Sequence, residues 1–256
     1  MSMMPATTEP RFYCGTSNIV LPVPNKAFFP EAYQEKSRLH YYASLFNSLE
    51  VNSSFYKIPM ARTVAKWADD VPEQFRFTFK LWQGITHARE LDYATTDIDR
   101  FFHAVDSAGA KKGCILVQFP ASIKYARFAA VRKLLDYIAY QALQQGWRIA
   151  VEFRDKSWYN DDVFGFMEDT TLGLVQHDMP TSATSFPDLA SDFVFLRFHG
   201  TSGDYKGSYS DELLAEYAGL VSDWTGEGKT VFAYFNNTIG EAVHNALSLK
   251  KFFATP

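Results

Sequence analysis

Eight short runs rich in Val, Ile and Phe recur along the chain, most of them separated by a stretch with helical periodicity. They are FYCGTS from Phe12, SLEVNSS from Ser48, FRFTFKL from Phe75, CILVQFP from Cys114, RIAVEFR from Arg148, LGLVQHD from Leu172, FVFLRFHG from Phe193 and TVFAYFNN from Thr230. Helical patterns are clearest over Glu31 to Phe46, Asp97 to Ala108, Arg127 to Gln145, Asp211 to Trp224 and Ile239 to Phe253. A strand, helix, strand order implies parallel strands joined by crossover helices, because parallel neighbours need a long connection. Eight such units in 256 residues is the count of a TIM (β/α)8 barrel, with a doubly wound open sheet as the alternative. The sixth unit is degenerate. After Asp178 the segment MPTSATSFPDLASD carries two prolines and no helical period, so a loop with at most one helical turn is expected. With no composition break or linker, residues 11–256 read as one barrel domain and residues 1–10 as a loose N-terminal segment.

Composition removes several function classes. A hydrophobic fraction of 47%, with 23 Phe, supports a sizeable core and leaves little room for disorder. The first residues have neither a basic region nor a long apolar run, so no signal peptide is expected, and no stretch nears the ~20 apolar residues of a membrane span. A cytoplasmic protein without a membrane partner is the expectation. Cys14 and Cys114 each sit in an apolar strand-like run, which favours buried free thiols over a disulfide, and no CxxC or zinc spacing occurs. The net charge of −4 disfavours nucleic acid as a partner but allows a local basic pocket. The absence of GxSxG, Walker and GxGxxG motifs excludes serine hydrolase, NTPase and dinucleotide readings.

Strand parity locates a candidate site. In a barrel one strand face packs under helices and the other points to the axis, so neither should be polar without cause. The outward positions are apolar: Leu49 and Val51; Phe75, Phe77 and Phe79; Ile149, Val151 and Phe153; Val194, Leu196 and Phe198. The inward positions turn polar towards the carboxyl ends: Glu50, Asn52 and Ser54; Thr78 and Lys80; Gln118; Glu152 and Arg154; Arg197 and His199; and Asn236 after Tyr234. That is the end where barrels of this kind carry their active sites. The second strand is read as continuing through Ser54, closed by Phe55 and Tyr56.

The segments CGTS near Cys14, FFPE at Phe28, LFNSLEVNSSFYKIP, FRFTFK, ITH at Ile85, VQFPAS, VEFRDKSW, RFHGTSGDYKGSYS and YFNNTIGEAVHNAL run nearly end to end. Together they resemble the YecE-like family, a domain of unknown function, number 72. The resemblance implies a TIM barrel but no reaction, since the likeness to metal-dependent sugar isomerases and apurinic-site endonucleases is one of fold only. Two departures stand out. NIVLPVP follows Ser17 where the family usually has Gly-Trp and a Tyr, and Asp155 replaces a histidine in the EFR-x-x-SW motif.

Glu50 and Glu152 are the two inward carboxylates, suited to acid and base work if a shared pocket separates their proton affinities, or to a structural role if each pairs with Lys80, Arg154 or Arg197. His199 is grouped with them as catalytic. Lys80, Arg154, Arg197 and His199 are read as a cationic surplus over two acids, which calls for an anion. Asn52, His87, Trp158, Gly200, Tyr209, Asn236 and Asn237 join Lys80, Arg154 and Arg197 as expected ligand contacts. The glycines at 200, 203 and 207 lie where barrels often hold phosphate. Without HxH or HExxH spacing, no metal or other cofactor is expected, and a divalent metal is disfavoured. The leading expectation is an enzyme acting by acid/base hydrolysis or proton transfer on a phosphorylated sugar-like or nucleotide-like ligand. The alternatives are a non-catalytic binder of an anionic metabolite or nucleic-acid end, and a metal-dependent nuclease or sugar-isomerase-like enzyme.

Overall fold

A computed structural model describes residues 10–170, 172–184 and 191–255. Its eight strands are β1 (Phe12–Thr16), β2 (Ser48–Val51), β3 (Arg76–Lys80), β4 (Lys112–Phe119), β5 (Arg148–Phe153), β6 (Leu172–His177), β7 (Phe193–Phe198) and β8 (Thr230–Phe235). All neighbours are parallel, in the order β1-β8-β7-β6-β5-β4-β3-β2. β1 and β2 meet at their carboxyl ends through a parallel bridge between Ser17 and Glu50, and Asn18 N–H donates to the Glu50 carbonyl at 2.8 Å. The barrel is therefore nearly closed. Gly15 makes this seam possible: a Cβ there would lie 2.0 Å from the Ser48 carbonyl oxygen.

Each strand except β6 is followed by a principal helix among the described residues. These are Arg38–Leu45, Ala61–Asp69, Thr95–Asp106, Phe128–Gln145, Asp161–Glu168, Asp211–Gly226 and Ala242–Phe253. Local chemistry sets several ends. Ser37, Asn160 and Ser210 accept hydrogen bonds from first-turn amides, and Asp161, Asp162, Asp211 and Glu212 place negative charge at positive helix ends. Part of the degenerate sixth unit falls on residues 185–190, and most of the loose N-terminal segment on residues 1–9; both lie outside the described residues.

One local reading is corrected. β2 ends at Val51, and Ser53–Tyr56 forms a single helical turn. Ser54 Oγ donates to the carbonyls of Val51 and Lys80, both at 2.7 Å, so Ser54 ties this turn to the end of β3. A polar alternation continuing past a short strand is equally compatible with a turn whose serines bond to backbone.

Two apolar cores result from the alternation. The outward residues, from Leu49 and Val51 round to Leu196 and Phe198, pack with Phe101, Leu135, Val221 and Leu249 of the helices. The axis is filled by Tyr13, Cys114, Leu116, Ala150, Val175, Phe193, Phe195, Phe232 and Tyr234. Cys14 and Cys114 are both buried and free, in the outer and inner core respectively. Above this plug Tyr234 Oη bonds to Ser48 Oγ at 2.6 Å and to Thr78 Oγ1 at 2.7 Å, which begins the polar layer.

Candidate ligand site at the barrel mouth

Arg197, near the end of β7, organises the polar layer. Its Nε and Nη2 donate to the two oxygens of Glu50 at 2.9 and 2.7 Å, and Nη1 donates to Glu152 at 2.5 Å. Ser17 Oγ donates to Glu50 Oε1 at 2.6 Å. The other Glu152 oxygen receives Arg154 Nε. Two carboxylates and two guanidiniums thus neutralise each other, with both acids fully buried. Burial alone would raise the Glu152 pKa, but Arg154 and Arg197 outweigh it and hold the carboxyl well below its ordinary value. Burial alone would lower the Arg197 pKa, and Glu152 and Glu50 raise it instead. Glu152 is anionic at neutral pH and has no proton to give.

His199 belongs to the same network as a neutral ring. Its Nε2 lies 2.8 Å from Arg154 Nη2 and 3.2 Å from Arg197 Nη1, both of which can only donate, so Nε2 holds its lone pair and the proton sits on Nδ1. Nδ1 approaches Asp178 Oδ1 at 3.4 Å without hydrogen-bond alignment. Burial pushes the His199 pKa down to about 4, partly offset by Asp178. Asp178 Oδ1 also accepts the His199 amide at 2.7 Å, and its other oxygen accepts Tyr209 Oη. The expected surplus of four cations over two acids is therefore corrected: His199 is neutral and Asp178 is a third carboxylate.

What faces solvent is nevertheless cationic. A cavity of ≈ 410 Å³ opens at the carboxyl ends of the strands, and its wall includes Lys80, Arg154 and Arg197 but no carboxylate among the described residues. Asn18, Asn52, Gln118, Tyr205 and Asn236 add polar groups, and Phe55 and Tyr56 an aromatic edge. Lys80 Nζ donates to Gln118 Oε1 at 2.8 Å and stands 4.1 Å from the centre of the Phe55 ring; among the described residues no carboxylate pairs with it. Burial lowers its pKa to about 8, helped by Arg197 and opposed by Glu152 and Glu50. Arg154 donates from Nε to Glu152 and from Nη2 to His199, and among the described residues no hydrogen bond uses its Nη1. Asn52 Oδ1 is buried without a partner.

Of the expected ligand contacts, Asn52, Lys80, Arg154, Arg197 and Asn236 line the cavity, with Glu50, Glu152 and His199 bonded to its arginines from beneath. Others do not reach it. Trp158 is fully buried, stacked on Phe153 at 4.2 Å with Nε1 donating to the Ile123 carbonyl, so it is a core residue. Asn237 bonds to the Gly207 carbonyl and to Asn245, and Tyr209 accepts the Gly200 amide at 2.6 Å, which makes both braces of the loop after β7. That loop is no open phosphate cradle: the amides of Gly200, Gly203, Tyr205 and Lys206 are bonded internally. Gly200 serves the backbone instead, with φ +93 and the Lys206 carbonyl oxygen 2.3 Å from where a Cβ would stand. His87 sits at the rim, edge-on to Phe55, with Nδ1 2.8 Å from Thr86 Oγ1. Asp155 accepts from the Ser157 amide at 3.0 Å as a cap.

Sequence reasoning missed Ser17 and Asn18, and gave Asp178 no role beyond that of a possible metal ligand and Tyr205 none beyond that of a possible stacking ring. Asn18 has φ 64, a conformation that Asn tolerates, and directs Oδ1 to the Asn52 amide at 3.1 Å. Its position two residues past β1 is a usable signal. Asp178 lies one residue past β6, where strand parity no longer applies, and so reaches His199.

The family model described as "Protein of unknown function DUF72" matches residues 13–256. The chain belongs to the DUF72 family. The UPF0759 protein YunF of Bacillus subtilis is 24% identical over 248 residues, covering 84% of this chain and 85% of YunF. The crystal structure of a DUF72 protein from Enterococcus faecalis aligns with TM-score 0.77 and 25% identity over 96% of each chain. That of a DUF72 protein from Thermotoga maritima aligns with TM-score 0.69 and 23% identity over 95% of this chain and 99% of that one. These likenesses agree with the TIM-barrel fold. No helix among the described residues is long and apolar enough to cross a membrane, and no group of three or more His, Cys, Asp and Glu side chains among them is arranged to hold a metal ion.

Proposed function

We propose that the barrel mouth binds a small, hydroxyl-bearing anion of the phosphorylated-sugar type and that the chain acts on it as an enzyme by proton transfer at Lys80. The observation that carries this reading is the cavity wall, which presents three cations and no carboxylate among the described residues. A buried cation without a counter-ion is costly, and an anionic ligand relieves that cost at Lys80 Nζ, with Arg154 Nη1 as a second donor to the same anion. The partnerless Asn52 Oδ1 asks for a donor such as a ligand hydroxyl. In this reading Glu50 and Glu152 fix the guanidiniums. Lys80, with its pKa near 8, exchanges the proton. The two free cysteines accord with the reducing cytoplasm.

A second reading, binding without turnover, is favoured by one observation: both buried carboxylates are already engaged by arginine. The two readings separate in one experiment. Inorganic phosphate, sugar phosphates and short oligonucleotides are screened by thermal shift, and any stabilising compound is followed by proton NMR in D2O. Stabilisation by a sugar phosphate with loss of a ligand C–H signal supports the enzyme. Stabilisation with an unchanged ligand supports the binder, and stabilisation by oligonucleotides alone shifts the ligand class to nucleic-acid ends. Failure of every anion to stabilise removes both readings.

A further inference from the structure

We infer that Lys80 is a nucleophilic amine that captures the carbonyl carbon of an anionic aldehyde or ketone as a Schiff base. The inference rests on the reading that the mouth binds small anions and deepens it by naming the reactive atom and the substrate class. Lys80 ends β3 and lines the ≈ 410 Å³ cavity, its Nζ held among the described residues by one neutral acceptor, Gln118 Oε1 at 2.8 Å. Among the described residues no carboxylate holds the ammonium form in place, in contrast to Arg154 and Arg197, each of which is tied to a buried acid. The Phe55 ring shields one side of Nζ at 4.1 Å. Beyond it, the cavity has room for a ligand whose anionic end meets Arg154 Nη1.

The electrostatics agree with that geometry. Burial, Arg197 and Arg154 favour the uncharged amine, Glu152 and Glu50 oppose them, and the balance leaves the pKa about 8. His87 at the rim is held down to about 4 by burial and by Lys80 and Arg154, so it adds no positive charge at neutral pH. An amine of that pKa has an uncharged fraction at neutral pH on the order of a hundredfold above that of an ordinary lysine. The step balances. Nζ donates its lone pair to the carbonyl carbon while the C=O π pair moves to oxygen; the two amine hydrogens then leave with that oxygen as one water, giving C=N. Protonation of the imine nitrogen from solvent gives the iminium, an electron sink that lets the adjacent carbon pass a proton to solvent water while its C–H electron pair forms the enamine.

The test uses the wild-type protein with glyoxylate, a small anionic aldehyde, and glycolaldehyde, a neutral one, each trapped with cyanoborohydride and mapped by peptide mass spectrometry. Phosphate-dependent thermal stabilisation is measured in parallel. Lys80 should be labelled by glyoxylate at least roughly tenfold faster than the mean of the other lysines, a conservative part of the expected gain in uncharged amine. Labelling should be slower with glycolaldehyde and blocked by phosphate. Lys80→Arg, which keeps the charge but not the nucleophile, should retain phosphate stabilisation and lose the fast label. If phosphate binds but Lys80 labels no faster than surface lysines, the Schiff-base inference is overturned and the anion site stands. If phosphate neither stabilises nor protects, the anion site falls. Fast labelling of Lys80 that is indifferent to ligand charge would keep the nucleophile and discard the anionic substrate class.

Discussion

Arg197 grips Glu50 through two hydrogen bonds, Nε to Oε2 at 2.9 Å and Nη2 to Oε1 at 2.7 Å, across the barrel axis from β7 to β2. The same guanidinium then takes Glu152 of β5 with its remaining nitrogen at 2.5 Å. One planar cation therefore pins three strands whose sequence positions are far apart, a geometry that lysine cannot reproduce.

Loss of one acid from this network leaves a buried cation uncompensated. Glu152→Gln should lower stability by about 3–5 kcal/mol, the range for breaking a buried ion pair, because Arg154 and Arg197 both lose a charged partner. Denaturant unfolding measures it. A variant as stable as the wild type would show that the carboxylate is dispensable to the fold.

Lys80 should behave in the opposite way. Its folded pKa, about 8, lies below the ordinary value of 10.5, so the unfolded chain binds its proton more tightly. The resulting destabilisation is full below pH 8 and fades as pH rises towards 10.5. Lys80→Met should therefore stabilise the ligand-free protein at pH 7 by on the order of 1–3 kcal/mol while removing anion binding. Thermal melts with and without phosphate test both halves.

A third expectation concerns acid. The folded His199 pKa of about 4 lies below its ordinary 6.5, so the neutral ring contributes stability that is complete above pH 6.5 and lost as pH falls towards 4. The full loss is about 3 kcal/mol. His87 and His177 are shifted in the same direction, so the diagnostic is the difference from His199→Gln, whose pH profile between 4.5 and 6.5 should be flatter. Parallel profiles would assign the acid sensitivity elsewhere.

Gly200→Ala should be destabilised by more than about 1 kcal/mol, since φ +93 strains any side chain and the Cβ would meet the Lys206 carbonyl oxygen at 2.3 Å. Hydrogen exchange should report the opening of the loop that Tyr209 braces. Unchanged protection there would show that the loop adapts.

Periodicity made the barrel legible, because a strand buried on both faces still alternates when one face contains polar groups. Glu50, Lys80, Glu152 and Arg197 could be placed on the axis side by parity alone. Parity is silent on which acid meets which base, since that depends on stagger between strands distant in sequence. It also fails past a strand end: Asn52 opens a helical turn, and Asp178 bends across to the His199 amide. Trp158 was misplaced for a related reason. An aromatic just beyond a strand fits either a mouth or a core, and its stack on Phe153 puts it in the core. The glycines at 200, 203 and 207 share positive φ, a backbone need that composition cannot distinguish from phosphate binding.

An anion held between Lys80 and Arg154 is the feature on which the proposed function turns. Diffraction at the selenium edge from crystals soaked in selenate locates such an anion directly. The result expected is an anomalous peak in the ≈ 410 Å³ cavity, within hydrogen-bond reach of Lys80 Nζ and Arg154 Nη1. A second basic cavity of ≈ 420 Å³ at the amino ends of the strands, lined by Arg11, Lys112 and Arg148, is the built-in comparison. A peak there alone, with the mouth empty, would contradict the claim.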